Sequence, residues 1–452
     1  MARVETQTGG RAATTGVIAG RWALSVGNPG TPTASGFTWV QLSEIARLES
    51  GHTPSRRRPE YWDGDIPWVG IRDATANHGR TITSTTQSIT KEGLANSSAR
   101  LLPTNTVCLS RTASVGYVVT IGTPMATSQD FVNWICGPQI SHKYLHYILM
   151  SEQDSVRRFA HGTTHQTVYY PEAKAFHVCI PERTEQDATV ALLGALDDKI
   201  ENNKAIASIA NKLARTKMVK LWQDHNLGSL TKESPILPPG WTRTTLGALC
   251  ATGGGGIQTG PFGSQLHASD YVESGTPSVM PQNIGDNIIT EDGIARVSLH
   301  DINRLSKYLL QEGDIVYSRR GDVKRRSLVR PHESGWLCGT GCLRVRTGAS
   351  VEPLFMSHYL GEPEVQEWIL QRAIGATMPN LNTSIMSELP VTLPPREVRQ
   401  RFTDELSAVD ARATHGLHEN RILVDLRDTL LPQLMSGKLR IRDAERIVED
   451  AV

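Results

Sequence analysis

QDATVALLGALDDKIENNKAIASIANKLARTKMVKLW, residues 186–222, decides how this chain is built. It lies in a run without proline between Pro181 and Pro235, and Leu193, Leu196, Ile200, Ala207, Ala210 and Ala214 recur in it at intervals of three, four or seven. That spacing places them on one side of a helix. At 1.5 Å per residue such a helix extends roughly 55 Å, far beyond a typical globular helix. Acidic residues gather early (Asp187, Asp197, Asp198, Glu201) and basic ones late (Lys212, Arg215, Lys217, Lys220), which complements the helix dipole. A solvated helix lying on a core is the plain alternative, but a face this regular favours a partner helix.

The same chain supplies that partner. From Arg396 to Leu434, Phe402, Leu406, Val409, Ala413, Leu423, Leu426 and Leu430 form a comparable seam, with an end expected at Pro432 and Gly437. Leu196-Asp197 matches Val409-Asp410, and Glu201-Asn202 matches Glu419-Asn420, if the second copy carries an insertion close to one helical turn. An insertion of that length leaves the seam on the same face. Asn202, Asn203 and Asn420 lie near the apolar stripe, where a polar group fixes register at some expense of stability. The expected packing residues are Leu193, Leu196, Ile200, Leu406, Val409, Leu423 and Leu430.

With 452 residues, the chain is long enough for about two to four domains. A net charge of +1 neither favours nor opposes nucleic acid, so local clusters must decide. Of six scattered cysteines only Cys338 and Cys342 are close, with no second pair, which argues against structural zinc and for a reduced, cytoplasmic setting. No apolar run is long enough to span a membrane, and the opening MARVETQTGGRAATTG lacks the apolar core of a signal peptide.

Residues 1–35, rich in Gly, Thr, Ala and Ser, are expected to form a flexible leader. A mixed domain follows over 36–183, with strands expected at 66–71, 106–110 and 116–121 and a helix at 142–159. The first long helix takes 184–224, a proline-rich linker 225–239, a second mixed domain 240–395, the second long helix 396–435, and a tail 436–452. The halves repeat. Gly36-Phe37-Thr38 echoes Gly240-Trp241-Thr242, and Ile66-Pro67-Trp68-Val69 echoes Thr276-Pro277-Ser278-Val279. Likewise Asn105–Arg111 echoes Gly313–Arg319, and Gly162-Thr163-Thr164 echoes Gly375-Ala376-Thr377. The fold class is therefore α+β: two tandem mixed α/β domains separated by two long antiparallel helices with an approximate two-fold relation. Two similar domains a fixed distance apart suit two sites on duplex DNA.

Basic residues fall at corresponding places. The second domain carries Arg319, Arg320, Lys324, Arg325, Arg326 and Arg330 around one turn; the first carries Arg56-Arg57-Arg58, Arg72 and Arg111. Arginine neutralises phosphates and makes bidentate contacts to guanine. A charge run is more often a solvated face, and it is the repetition after equivalent strands that points to DNA. Thr112, Ser114, His165, Gln166, Gln265, Gln282 and Asn283 are candidates for reading base edges, with ordinary loop polarity the plain alternative. The DNA-binding set expected is Arg57, Arg72, Arg111, Thr112, His165, Gln166, Gln265, Gln282, Asn283, Arg319, Arg320, Lys324 and Arg325.

No catalytic or metal-ligating residue is expected. Gly253–Gly256 lacks the Lys-Ser/Thr end of a phosphate-binding loop, and no Asn-Pro-Pro-Tyr segment of an adenine methyltransferase occurs. His142 and His146 stand four apart without a metalloprotease pattern, and surface histidines are the simpler expectation.

SGHTPSRRRPEYWDGDIPWVGIRD (50–73), ITKEGLANSSARLLPTNTVCLSRTASVG (89–116) and ATSQDFVN (126–133) resemble the target-recognition domain of type I restriction-modification specificity subunits. GPFGSQLHASDY (260–271), EGDIVYSRRGD (312–322) and TLLPQLMSGKL (429–439) resemble its second copy. The resemblance implies two target-recognition domains, each reading half of a split, asymmetric site on double-stranded DNA, with the helices setting the gap. It also implies docking of two adenine methyltransferase subunits and, in the restriction form, two ATP-dependent restriction subunits. S-adenosylmethionine, ATP and Mg would reside in those partners and none in this chain, which would be cytoplasmic and DNA-associated. Lys324 departs from the pattern, standing where the family often has glycine, as Gly116 does in the first copy. Two other classes are a self-contained methyltransferase or nuclease with degenerate motifs, and a non-catalytic coiled-coil scaffold.

Overall fold

The computed structural model describes residues 16–162, 166–227, 229–231, 237–262, 265–291, 293–375 and 379–451. Two α+β units result: one takes residues up to Lys199 together with those from Arg421 onward, the other Ile200–Asn420. The long helices, Arg183–Asp224 and Arg396–Met435, each contribute one part to each unit.

In the first unit the central sheet has the order Ala46–Ser50, Phe131–Cys136, Val107–Ser110, Val118–Ile121, Arg80–Ile82. Its Val107 and Val118 strands are buried along their whole length, as runs of β-branched and small residues packed on both faces should be. A three-stranded sheet is ordered Ala126–Thr127, Trp62–Val69, Gln87–Ile89. The strand expected over 66–71 stops at Val69, because the Asp73 carboxylate accepts the Gly70 N–H at 2.9 Å and the Thr86 N–H at 2.8 Å and starts a helix at Ile71.

The helix expected over 142–159 is two, His142–Ser151 and Gln153–Phe159, and the break explains a second departure. Glu152, fully buried between them, accepts the N–H groups of Arg21, Trp22, Ala23 and Leu24. Those residues belong to the stretch expected to be a flexible leader. Instead, Ile18–Ala19 and Leu24–Val26 are strands in a sheet ordered Ile18–Ala19, Leu24–Val26, Phe176–Ile180, Thr38–Gln41. Four charge-assisted hydrogen bonds to one carboxylate outweigh the chain entropy of a Gly- and Ser-rich segment.

The second unit repeats this plan. Gly256–Thr259, Cys342–Arg346, Ile315–Ser318 and Arg326–Leu328 follow the order of the first four strands of the central sheet, and Leu337–Cys338, Thr276–Val279, Ala295–Val297 that of the three-stranded one. Thr242–Thr245 pairs antiparallel with Pro390–Leu393, as Thr38–Gln41 does with Phe176–Ile180. The linker before this domain is also held by a glutamate: Glu364 accepts the N–H groups of Leu230 and Thr231, and Leu230 is buried in the core.

Within each unit the two helix segments run antiparallel. In the first, Asp197 pairs with Arg427 at 2.9 Å, Glu185 pairs with Arg440 just beyond the second helix, and Leu193, Leu196, Leu423 and Leu430 are buried. The second helix runs through Pro432 to Met435, the end expected for it. In the second unit, Asn203 lies opposite Asn420 and Lys217 opposite Glu405; Ile200 and Leu406 are buried, and Ala207, Ala210 and Ala413 pack together with the half-buried Val409. Asn203 donates to Asn420 Oδ1 at 2.9 Å and Glu419 Oε2 at 3.0 Å, and Asn420 returns a bond to the Ile200 carbonyl at 3.1 Å. Gly416 makes room for this amide, since a Cβ there would stand 2.8 Å from Asn203 Oδ1.

This contact generates a test. Asn203→Ala lowers stability by about 1–2 kcal/mol. Gly416→Ala is destabilising in the native chain, because the added Cβ would stand 2.8 Å from Asn203 Oδ1 and 2.9 Å from its Cγ. It is less so in the Asn203→Ala background, where the Cβ of residue 203, at 3.2 Å, remains and the helix propensity of alanine, about 1 kcal/mol, offsets it. Denaturant unfolding of the four chains measures the difference; equal effects in both backgrounds would show that the two residues do not meet.

Candidate nucleic-acid interface

In each unit the arginine-bearing turn after a core strand is bonded to the glycine loop before the last strand. In the first, Val168 N–H donates to the Arg111 carbonyl at 2.8 Å and Ala113 N–H to the Gln166 carbonyl at 3.1 Å. In the second, Leu381 N–H donates to the Arg319 carbonyl at 2.9 Å and Gly321 N–H to the Pro379 carbonyl at 3.1 Å. The bridges Thr112 to Thr167 and His161 to Thr167 correspond to Arg320 to Asn380 and Ile374 to Asn380. Gly162 and Gly375 share a φ of 111°, a left-handed conformation that favours glycine. His165 lies outside the described residues.

These pairings sort the expected contacts into outward and inward groups. Arg57, Arg72, Gln166, Gln282, Arg320, Lys324 and Arg325 are exposed. Arg57 stands between Arg56, stacked 3.7 Å over the Trp62 ring, and Arg58, paired with Glu60. Arg111 and Arg319 are half-buried, and burial lowers the pKa of both from the usual guanidinium value. Arg319 Nε donates to the Leu381 carbonyl at 2.9 Å and to Asn380 Oδ1 at 3.2 Å, so its side chain fastens the loop. Thr112 is half-buried within its bridge.

Other members of the basic and polar clusters turn inward. Asn283 is buried, and its Oδ1 accepts the Met280 N–H at 3.1 Å, so the outward position on that turn is Gln282. Gln265 is half-buried, and its Oε1 accepts the Tyr308 hydroxyl at 2.8 Å. Arg326 is buried with Nε on the Ser357 carbonyl at 2.9 Å, and Arg330 is paired with Asp410 of the second long helix. What the linear cluster does not reveal is that Gln282, Lys324 and Arg325 line one cleft, together with Arg215 of the first long helix. The only sequence signal for Arg215 is its place among the late basic residues of that helix.

Among the described residues, no group of three or more His, Cys, Asp or Glu can hold a metal ion, and no helix is long and apolar enough to cross a membrane. Cys338 and Cys342 are free and buried, and burial pushes the Cys338 thiol up to about 12. His146 is not a free surface histidine: its Nδ1 lies 3.0 Å from Thr120 Oγ1, and burial pushes its pKa down to about 4. His358 is pushed down to about 3, first by burial and then by the charges of Arg326, Arg330 and Arg215.

Exposed cations and amides on bonded loops, built twice on one α+β plan, define a DNA-recognition protein with two reading domains. Residues 34–211 and 269–423 match the family described as the type I restriction modification DNA specificity domain, and the chain belongs to that family. It is 24% identical over 415 residues to the type I restriction enzyme MjaIX specificity subunit of Methanocaldococcus jannaschii, covering 89% of this chain and 93% of that one. Over 167 residues, 35% of this chain and 40% of the relative, it is 29% identical to the EcoR124I/EcoR124II specificity subunit of Escherichia coli. The crystal structure of a type I restriction-modification S subunit from M. genitalium shares the fold with a TM-score of 0.56 at 18% identity, covering 90% of this chain and 97% of that one. The chain is thus the sequence-recognition subunit of a type I system, not its catalytic subunit; it assembles with other subunits and DNA, and the cofactors belong to the partners.

Two expectations follow. Arg319→Ala loosens the loop and lowers the unfolding midpoint as well as DNA affinity, whereas Arg320→Ala lowers affinity alone; paired melting and binding curves separate them, and equal melting losses would refute the division. Second, His358 and His146 stay neutral when folded but bind protons below about 6.5 when unfolded, so the unfolded state binds more protons in acid. Their contribution is complete above about pH 6.5 and is lost as pH falls through the window down to about 4 for His146 and about 3 for His358. Melting midpoints should fall between pH 7 and 5, and His358→Phe should flatten that slope; an unchanged slope would contradict it.

Proposed function

We propose that this chain reads a split, asymmetric site on double-stranded DNA, one half-site per recognition domain, and positions two adenine methyltransferase subunits around it. Where restriction subunits are present, two ATP-dependent ones join the same assembly. S-adenosylmethionine, ATP and Mg act in those partners, and the complex works on cytoplasmic DNA. Arg57, Arg72 and Arg111 in the first domain, and Arg320, Lys324 and Arg325 in the second, neutralise phosphates and fix each domain on the duplex, while Arg319 holds the loop beside them. Of the polar candidates among the described residues, Thr112 and Gln166 in the first domain and Gln265 and Gln282 in the second, the exposed Gln166 and Gln282 are the ones best placed to meet base edges in the major groove, while the buried Asn283 holds its turn. The target adenine is flipped into a methyltransferase pocket, a step this chain serves only by placement.

The observation that carries the reading is the duplicated bonding of turn to glycine loop, Arg111 with Val168 and Arg319 with Leu381. Two copies of one reading surface with different outward residues match a target of two different halves. The paired helices then act as the ruler for the spacer.

Removing about seven residues from each long helix at facing positions shortens the pair by roughly 10 Å and turns it by only about 20°. At 3.4 Å per base pair this is about three base pairs. Mapping methylated adenines in cells carrying the shortened chain should show both half-sites unchanged and the spacer reduced by that amount. A spacer of the original length would reject the ruler.

A further inference from the structure

The cleft that gathers Lys324 and Arg325 is walled on one side by the first long helix, through Arg215, and has a volume of about 450 Å³. Arg215 and Arg325 are roughly half exposed, and Lys324 is exposed. Behind Gly361 of the lining lies the buried guanidinium of Arg326. Three carboxylates answer these four cations: Asp286, 3.8 Å from Arg215 and 3.4 Å from Arg326, Asp322, 3.3 Å from Arg325, and the buried Glu362, which is attracted to Arg215 and Arg326. The balance is positive by one. The loop bearing Asp286 is fastened to the helix by Asn211, whose Nδ2 donates to the Asp286 carbonyl at 3.0 Å. The cleft is therefore assembled by helix and domain together.

Among the described residues the first unit shows no such cluster at the corresponding place, where Arg157 is paired with Asp154 at 3.1 Å. Gly116 and Tyr117 stand where the second has Lys324 and Arg325, and Tyr117 packs edge-on against His78 with ring centres 5.1 Å apart. Gln153, the counterpart of Gln366, bonds the Gly116 carbonyl at 3.1 Å and meets the His78 ring at 3.2 Å. That corner is filled by an aromatic ring and an amide, while its twin is open and cationic. An open site with a positive surplus beside the exposed Gln282 suits a small anion presented next to base edges, and duplex DNA presents one at every nucleotide.

We propose that the cleft formed by Arg215, Lys324 and Arg325 seats one backbone phosphate of the DNA at the second half-site, so that the spacer helix itself touches the nucleic acid. The proposal rests on the assignment of a half-site to each domain. It makes the two recognition domains unequal: a cationic seat in the second, and Gly116, Tyr117 and Gln153 at the corresponding place in the first.

The test uses the full chain assembled with its methyltransferase subunit, and duplexes containing the target mapped in cells. Each duplex carries one uncharged methylphosphonate linkage, moved stepwise along the second half-site and spacer. One position should weaken binding about fivefold in the native complex. Arg215→Ala should weaken binding by a similar factor, reduce the slope of log Kd against log salt by about one, and abolish the effect of that linkage alone. Arg215→Lys keeps the charge and should keep the coupling, and Asn211→Ala, which frees the loop but leaves the cations, should keep the salt slope. If Arg215→Ala leaves the slope intact and its effect merely adds to that of every linkage, the proposal falls and half-site reading stands. Inorganic phosphate competing for the native complex but not for Arg215→Ala, without coupling to any linkage, would identify a free-anion site and overturn it as well. A native complex without sequence-selective binding would remove both readings together.

Discussion

A hydrogen-bonded amide pair in the helical seam sets the register on which the second unit depends. Asn203 and Asn420 are both buried, and each needs the other, because an unpartnered amide there would bear the full penalty of desolvation. The alanines at 207, 210 and 413 allow the helices to lie close enough for that bond, and Gly416 leaves space for the Asn203 oxygen. Sliding one helix by a turn would separate the amides and bring polar surface onto the alanines. Leucine along the whole seam would bind more tightly but tolerate more than one alignment. Register fixed here carries outward: Asp410 meets Arg330, Glu405 meets Lys217, and Asn211 reaches the loop at Asp286.

Around each turn the arginines divide their work. Those whose guanidinium groups point inward hold the surface: Arg319 ties turn to loop, Arg326 spans a domain helix and the Asp286 loop, and Arg330 joins domain to seam. Those pointing outward, Arg320, Lys324 and Arg325, are left for a polyanion. A flexible chain with the same net charge would attract DNA but not fix a base-reading residue, since ordering the loop would consume the energy of contact. Holding the loop beforehand with buried cations avoids that loss.

Much of this was legible in the sequence where the signal is periodic or repeated. Leu193, Leu196, Ile200, Leu406, Leu423 and Leu430 are buried as their spacing implies, and the strands over Val107–Ser110 and Val118–Ile121 lie where β-branched runs placed them. The equivalence of Arg111 and Arg319 follows from the repeat alone. Features made by a partner far along the chain were not legible. Glu152 looks like one more polar residue in a helix until Arg21–Leu24 arrive from about 130 residues away. Composition made those same residues look disordered for the same reason. Nor does anything local separate Arg325, which reaches solvent, from Arg326, which does not: Arg325 stands just before a strand, Arg326–Leu328, that is buried along its whole length.

Gly361 forbids any side chain at its position. A Cβ at that position would stand 1.7 Å from Nη2 of Arg326, a buried group held on its far side by the Ser357 carbonyl and Asp286, with nowhere to retreat. The two positions are thus tied as a pair through descent: a lineage that acquires any side chain at 361 must already have lost the guanidinium at 326, leaving the acid at 286 to Arg215 alone. Among sequences sharing this second domain, positions 326 and 361 should change in concert even though they are far apart in the chain.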